Sequence, residues 1–372
     1  MTTLFEPTTL GNLTLRNRIV MAPMTRSRAI GNVANGLMAG FYEQRASAGL
    51  LITEGTSPSP NGLGYPRIPG IFNAEQAKGW RQVTEAVHAK GGRIFVQLMH
   101  TGRVGHPNNL PARARIVAPS AVALSGTMWT DNEGMQPHPT PEAMTETDIQ
   151  TCLAEFVHAA ELSVEAGFDG IELHAANGYL LEQFLNPNVN KRTDTYGGNS
   201  EGRMKFVLDV AAACAQKIGK ERVGIRVSPY GVFNDTGAFE GVDEFYGQLA
   251  KKLSDIGLLY IHVVDHSAQG APAVSTTVKR LIRENFTGAY ILSGGYDAAS
   301  AERDLADKKG DLVAFARPFI ANPDLSEKLR TGAPLHDFDP NKLYTPGADG
   351  YTEFEWNRGS VGNTVSGVSA PL

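Results

Sequence analysis

Short apolar runs recur along the chain, and each is followed by a stretch in which apolar residues return every three or four positions. The runs fall at 19–23, 50–54, 94–99, 170–174, 223–227, 259–264, 290–293 and 312–316. They are apolar on consecutive residues rather than on alternate ones, the pattern of strands covered on both faces. The stretches between them read as helices with start and stop signals. Asn73, with Gln76 three residues on, has the spacing of a capping box ahead of Trp80, Val83 and Val87. Thr145 and Asp148 stand in the same relation before Ile149, Leu153, Phe156 and Ala160. Val207, Val210, Cys214 and Ile218 form a stripe stopped by Gly219, and Phe245, Leu249, Leu253 and Ile256 form one stopped by Gly257. Asn322 and Pro323 read as the cap and first residue of a last helix, which Gly332 ends.

This alternation, repeated eight times, predicts an α/β chain with parallel strands joined by crossover helices. Eight such units close most naturally into a (β/α)8 TIM barrel. An open doubly wound sheet is the rival, but no Gly-x-Gly-x-x-Gly follows any strand, so a dinucleotide-binding domain lacks its usual sign. Three segments leave the pattern. Residues 3–16, with Gly11-Asn12 between apolar pairs, predict an N-terminal hairpin plugging the bottom of the barrel. Residues 103–144, after the third strand, are rich in Pro, Gly and Asn and predict a capping insertion over its mouth. Residues 359–372 are small and polar and predict a loosely ordered tail. Residues 1–372 therefore read as one domain, since barrels of this kind run past about 250 residues as a unit.

Composition narrows the class. With 42% hydrophobic and 20% charged residues the chain reads as soluble and globular. A net charge of −5, with basic residues no more clustered than the pairs Lys251–Lys252 and Lys308–Lys309, argues against a nucleic-acid partner. No apolar run reaches the roughly 18 residues of a membrane span. The first residues lack the basic and apolar regions of a signal peptide, so a cytoplasmic location is expected. Cys152 and Cys214 fall on apolar helix positions and read as buried hydrophobes. No Cys/His zinc spacing is present, and no metal is expected.

In a barrel, reactive residues gather at the C-terminal ends of the strands. Here the first strand ends in Ala22-Pro23-Met24-Thr25 and the third in Gln97-Leu98-Met99-His100. The fourth ends in Glu172-Leu173-His174, with Asn177 and Tyr179 in the loop beyond. The fifth contains Arg226, the seventh runs into Gly294-Gly295, and the eighth ends in Ala316-Arg317. Each alone reads as a satisfied structural group. Together they load one rim with groups the core does not need. Gly294-Gly295 ahead of a helix, with Arg317 beside it, is a phosphate signal, because glycines let backbone N–H groups approach an anion. Arg226 lies in an apolar strand and requires an anionic partner. That partner is either Glu172 or Asp265 in a structural salt bridge, or negative charge on a cofactor ring. His174 and Asn177 can both donate to one oxygen, and Tyr179 is a neutral acid with an ordinary pKa of about 10. The set polarises a carbonyl and delivers a proton, and it contains no strong base or nucleophile.

These residues sit in recognisable motifs: Asn17-Arg-Ile-Val-Met-Ala-Pro-Met-Thr25-Arg, Gln97-Leu-Met-His-Thr-Gly-Arg103 and His174-Ala-Ala-Asn-Gly-Tyr-Leu180. Asn190-Lys-Arg-Thr-Asp-Thr-Tyr-Gly-Gly198, Gly224-Ile-Arg-Val-Ser-Pro229 and Phe315-Ala-Arg-Pro-Phe-Ile-Ala-Asn-Pro323 follow in order. On them the sequence resembles the old yellow enzymes, the FMN-containing ene-reductases, over nearly its whole length. The resemblance implies a tightly bound, non-covalent FMN whose ring is contacted by Pro23, Met24, Thr25, Gly55 and Gln97. It implies that Arg226 stabilises the reduced ring and that Gly294, Gly295, Ala316 and Arg317 hold the phosphate. His174 and Asn177 would bind the activating oxygen of the substrate and Tyr179 would supply the proton, these three being the catalytic set. Thr25, Tyr65, Met99 and Tyr351 would line the substrate pocket with them. Arg192, Asp194 and Tyr196 would hold the loop after the fourth strand.

The implied reaction is reduction of the C=C bond of activated alkenes (enones, enals, maleimides, nitroalkenes). Hydride passes from NADPH or NADH through FMN to Cβ, and Tyr179 protonates Cα from the other face. A monomer or weak dimer is the implied state. Met99 departs from relatives that carry Trp, Asn177 from those with a second His, and Thr25 from those with Cys. Two other readings lose ground on the residues themselves. A metal-dependent hydrolase using His100, His174, His262 and His266 would need a His-x-His after the first strand, which is absent. A silent flavin-binding protein would not need Tyr179.

Overall fold

In a computed structural model of the chain, which describes residues 3–357, eight parallel strands close into a barrel. They are Ile19–Met21, Leu50–Thr56, Ile94–Leu98, Gly170–Ala175, Val223–Val227, Tyr260–Val263, Ala289–Ser293 and Leu312–Phe315, here strands 1 to 8. Each pairs with the next in sequence, and strand 8 returns to strand 1 with Val313 opposite Ile19. Strands 1 to 6 and strand 8 are buried at every residue. That is why their sequences are mostly apolar: one face meets the barrel interior and the other the ring of helices. The buried exceptions, such as Glu54, Gln97, Glu172, His174 and Arg226, are polar groups that need partners.

Two apolar layers follow. Inside, Val20, Ala22, Leu50, Ile52, Phe95, Tyr260, Ile291 and Leu312 pack together. Outside, Ile19, Leu51, Val96 and Ile171 meet helix residues such as Trp80, Phe156 and Phe206. The N-terminal hairpin, Thr8–Leu10 against Leu13–Leu15, sends Leu10 and Leu15 into the inner layer and closes one end. Gly11 at its turn has φ +56°, and a Cβ there would stand 2.7 Å from Leu259 Cδ1. Both the backbone conformation and the close approach require glycine.

The helix signals read from the sequence fare unequally. Thr145 and Asp148 form the reciprocal box, with Asp148 N donating to Thr145 Oγ1 at 3.1 Å and Thr145 N to Asp148 Oδ2 at 2.8 Å. Asn73 caps Gln76 N at 2.9 Å, but the Gln76 side chain turns away and accepts from Phe72 N at 2.9 Å. Asn322 does not start the last helix, Leu325–Thr331. Its Nδ2 donates to Pro318 O and His336 O, so it closes the preceding turn Pro318–Ala321. Gly332 ends the last helix in the left-handed region, at φ +71°.

Residues 103–144 carry no barrel strand. They hold the hairpin Thr127–Thr130 and Gly134–Pro137, and the short pair Val117–Ala118 and Glu142–Ala143. Two arginines fasten this segment to the rim. Arg103 Nη2 donates to Asn234 O at 2.8 Å, and Arg192, paired with Asp194, donates to Pro119 O at 3.0 Å. Arg26 and Arg28, beyond strand 1, bind carbonyls of the segment 342–350: Arg26 Nη2 to Gly350 O at 2.7 Å and Arg28 Nη2 to Lys342 O at 2.8 Å. Among the described residues no helix is long and apolar enough to cross a membrane. The tail 359–372 lies outside the described residues.

Candidate functional site

The strand ends converge on two neighbouring hollows. A groove of about 180 Å³ is lined by Arg226, His266, Gly294, Gly295, Ala316 and Arg317. A larger cavity of about 890 Å³ is lined by Thr25, Tyr65, Val104, Met128, Asn234 and Tyr344, among others.

The groove suits a phosphate-bearing cofactor with an electron-rich ring. Gly294 and Gly295 have φ +122° and +68°, and Cβ atoms there would stand 2.7 Å from Asp265 Cβ and 2.6 Å from Ala268 Cβ. Bare backbone is thus required where N–H groups must reach an anion. Arg226 is buried and its Nε has no partner. The two acids that could have neutralised it are engaged elsewhere. Glu172 accepts from Gln97 Nε2 at 2.8 Å and Tyr260 Oη at 3.1 Å and faces His262 Nδ1 at 2.9 Å. Asp265 pairs with Lys279 at 2.6 Å. Burial lowers the Arg226 pKa against the opposing charge of Glu172. A buried guanidinium without a hydrogen-bonded acid is costly, and an electron-rich ring edge relieves it. Burial pushes Glu172 up, but His262, Arg226 and Gln97 outweigh it, so the carboxylate is held below its ordinary range. Because Gln97 gives its NH2 to that carboxylate, its Oε1 is left to accept.

The other residues expected around the ring differ in what they can offer. Pro23 is buried on the rim. Met24 is half-buried and packs its side chain against the outer core. Gly55 lies outside the groove: a Cβ there would collide with the Met99 thioether, so its bareness accommodates Met99. Met99 itself packs with Leu63, Ile68, Tyr65 and Tyr179.

Strand 4 and the loop after it carry His174, Asn177 and Tyr179. His174 is buried, its Nδ1 has no partner, and its ring meets Tyr179 edge-on at 4.9 Å. Burial, with the nearby charge of Arg226, holds its pKa well below the ordinary value, so the imidazole is neutral. Asn177 adopts φ +56° and is pinned on both sides, its N donating to Ser228 Oγ at 2.8 Å and its O accepting from Asn234 Nδ2 at 2.7 Å. Glu182 ties this turn together by accepting from Gly178 N and from Ser228 Oγ. Burial pushes Glu182 up to about 7. The Tyr179 and Tyr65 hydroxyls lie 2.9 Å apart, which links Tyr179 to a residue of the larger cavity's wall; His174, Asn177 and Tyr179 themselves lie behind the linings of both hollows.

Tyr351 is a correction. Its ring stacks on Phe41 at 4.2 Å, with the Arg26 and Arg28 guanidiniums 5.1 and 4.8 Å from its centroid. Packed in this way it is fully buried and does not line the cavity. Tyr344, seven residues earlier, does. Sequence reasoning also missed Asn234 and Gln269, and it raised His266 only as a metal ligand. These three are polar residues in the irregular stretches after strands 5 and 6. Their signal was position on the same rim rather than any motif.

Residues 3–336 match the NADH:flavin oxidoreductase / NADH oxidase family. Chanoclavine-I aldehyde reductase of Penicillium roqueforti is 41% identical, the match covering 96% of this chain and 97% of that protein. A probable flavin mononucleotide-dependent alkene reductase of Leishmania infantum is 38% identical over 94% and 96% of the two chains. The structure of morphinone reductase in complex with tetrahydroNAD superposes with a TM-score of 0.89 at 42% identity, covering 94% of this chain and 96% of that one. The chain therefore belongs to the NADH:flavin oxidoreductase / NADH oxidase family in its old yellow enzyme branch, FMN-dependent enzymes that reduce activated carbon–carbon double bonds with hydride from a reduced nicotinamide.

Proposed function

We propose that the protein reduces α,β-unsaturated carbonyl and nitro compounds, with His174 and Asn177 binding the activating oxygen and Tyr179 protonating Cα. One observation carries this reading: His174 presents a neutral ring with an unpartnered Nδ1 beside a tyrosine that burial keeps protonated. That pairing supplies a hydrogen-bond donor and an acid, and no base. Bound FMN supplies hydride-level redox chemistry between the nicotinamide and the alkene. The chain's residues do the rest. Gly294, Gly295, Ala316 and Arg317 hold the phosphate, and Pro23, Thr25, Gln97 and Arg226 surround the ring. The two donors act where enolate charge develops, which is where fixed dipoles contribute most. Thr25, Tyr65, Met99 and Tyr344 shape the substrate's apolar surroundings.

Residues 1–372, with the 103–144 insertion capping the mouth, act as one FMN-binding unit in this reading; the family match spans 3–336 of them. Family resemblance extends it to NADPH as the preferred donor and to a cytoplasmic monomer or weak dimer. Donor competition and sedimentation test the first and last of these. The central experiment uses purified FMN-loaded protein under anaerobic conditions: reduce it with NADPH, then mix with cyclohexenone and, separately, with a nitroalkene. Reoxidation with formation of the saturated product supports the proposal. Failure to reduce any enone, enal, maleimide or nitroalkene overturns it.

A further inference from the structure

A chain of polar side chains runs along the rim from the phosphate side to the substrate side, and each of its bonds has a direction. Arg317 Nη2 donates to Gln269 Oε1 at 2.7 Å. A guanidinium has no acceptor, so Gln269 must turn its oxygen to Arg317 and its NH2 the other way. Gln269 Nε2 then faces His266 Nδ1 at 3.3 Å and donates into the ring lone pair. A neutral imidazole whose Nδ1 accepts carries its proton on Nε2. His266 Nε2 lies 3.0 Å from Asn177 Oδ1, so it donates there. The Asn177 amide is thereby turned with its oxygen to His266. Its NH2 makes no hydrogen bond to any described residue.

Two further facts make this orientation matter. The Asn177 backbone is already fixed by Ser228 and Asn234, so a half-turn of the amide is the freedom left. That half-turn exchanges a donor for an acceptor at the same place. The His266 ring is also held, with its edge against Phe233 at 4.5 Å between centroids. Burial, with Arg226 nearby, lowers its pKa to about 4, so the ring is neutral and its two nitrogens differ.

We propose that His266 is a positioning residue that holds the Asn177 amide as a donor toward the substrate oxygen, with its tautomer set by Gln269 and Arg317. This rests on the reading that Asn177 receives that oxygen. The polarity therefore starts at the residue assigned to the cofactor phosphate and ends at the one assigned to the substrate.

Two measurements test it. In the FMN-free protein, the ring ¹⁵N shifts of His266 should report the Nε2–H tautomer at neutral pH and lose that preference in Gln269→Leu. An Nδ1–H tautomer overturns the proposal. In FMN-loaded protein, titration with 4-methoxyphenol reads oxyanion binding through a long-wavelength charge-transfer band. His266→Phe keeps a ring against Phe233 and removes the donor. It should weaken phenol binding about tenfold, the worth of one hydrogen bond to a charged group. His266→Gln should recover most of that loss. The double variant with Asn177→Ala should bind no more weakly than Asn177→Ala alone. If Asn177→Ala weakens binding and His266→Phe does not, the positioning role is wrong while the substrate reading stands. If Asn177→Ala binds like wild type, the substrate reading is wrong and the proposal falls with it.

Discussion

The phenolic oxygens of Tyr65 and Tyr179 stand 2.9 Å apart, and burial pushes the Tyr179 pKa up to about 12 while the bond from Tyr65 pulls it down. Tyr65 is itself raised well above the ordinary range by burial and by Tyr179. Either hydroxyl can donate in this bond; the proposed acid role of Tyr179 requires Tyr65 to be the donor, which leaves Tyr179 free to point its own proton elsewhere. A phenolate formed on Tyr179 would already have a donor in place.

Tyr179→Phe removes the acid and keeps the ring. Reduction of the enzyme by NADPH needs no such proton and should survive. Enone reduction should slow by about 10²–10⁴-fold, the usual worth of a positioned acid. A nitroalkene should lose much less, because its hydride adduct is stable enough to leave before protonation. Stopped-flow measurement of both half-reactions on both substrates is the check. Equal losses on the two substrates would remove Tyr179 from the role.

In the proposed role the acid form of Tyr179 is the active one, and burial, which raises its pKa, keeps the proton on to higher pH. Enone turnover should stay level through about pH 10, where an ordinary tyrosine would be half ionised. Tyr65→Phe removes the donor that steadies the phenolate, so enone reduction should fall by about tenfold, one hydrogen bond's worth. A half-loss of the wild-type rate at or below about pH 10 would contradict the assignment.

Arg317→Ala should weaken FMN binding by about tenfold to a hundredfold, as expected for a hydrogen bond to a charged group. Titration of the flavin-free protein with FMN, followed by quenching of flavin fluorescence, measures it. Unchanged affinity would place the phosphate elsewhere.

Tyr344 and Tyr351 should separate cleanly. Tyr344→Ala opens the cavity wall and should raise KM for bulky enones with little change in stability. Tyr351→Ala removes a ring stacked on Phe41 and lying under two guanidiniums. It should cost about 3–5 kcal/mol of stability, as aromatic deletions from cores do. Urea unfolding and steady-state kinetics on both variants decide the matter, and the opposite split would restore Tyr351 to the pocket.

Met99 sits over Gly55 and against Tyr65 and Tyr179. Met99→Trp adds a flat ring where a flexible thioether now fills the space. It should change the order of preference among enones while NADPH oxidation in the reductive half-reaction changes little. Equal loss in both half-reactions would mean that Met99 shapes the cofactor groove.

The barrel was legible because its strands are buried on both faces, which leaves a short apolar run at each turn of the fold. His174, Asn177 and Tyr179 stood out in the sequence as a candidate set because one strand and its loop carry all three. Contacts between distant segments were not. Asn322 followed by proline has the local form of a helix start, yet its side chain is claimed by His336 O, fourteen residues on. Gln76 has the spacing of a reciprocal cap but is drawn back to Phe72. Tyr351 and Tyr344 look alike in sequence, and the choice between them is made by Phe41, on a helix from the other end of the chain. His266 could not be read as a partner of Asn177, because that bond joins residues 89 apart across the rim.

The guanidiniums of Arg26 and Arg28 bind carbonyls supplied more than three hundred residues later, at Lys342, Leu343 and Gly350. During synthesis, the loop that carries Thr25 is made early and waits for its partners until nearly all of the described chain has left the ribosome. Until then two arginines beside the mouth lack their acceptors. The rim beside Thr25, which the proposal assigns to the cofactor ring, is thus finished last, although its first residues emerge first. Full occupancy by FMN becomes a property of the completed chain, and a fragment ending before residue 342 should release the flavin even if its eight strands have closed.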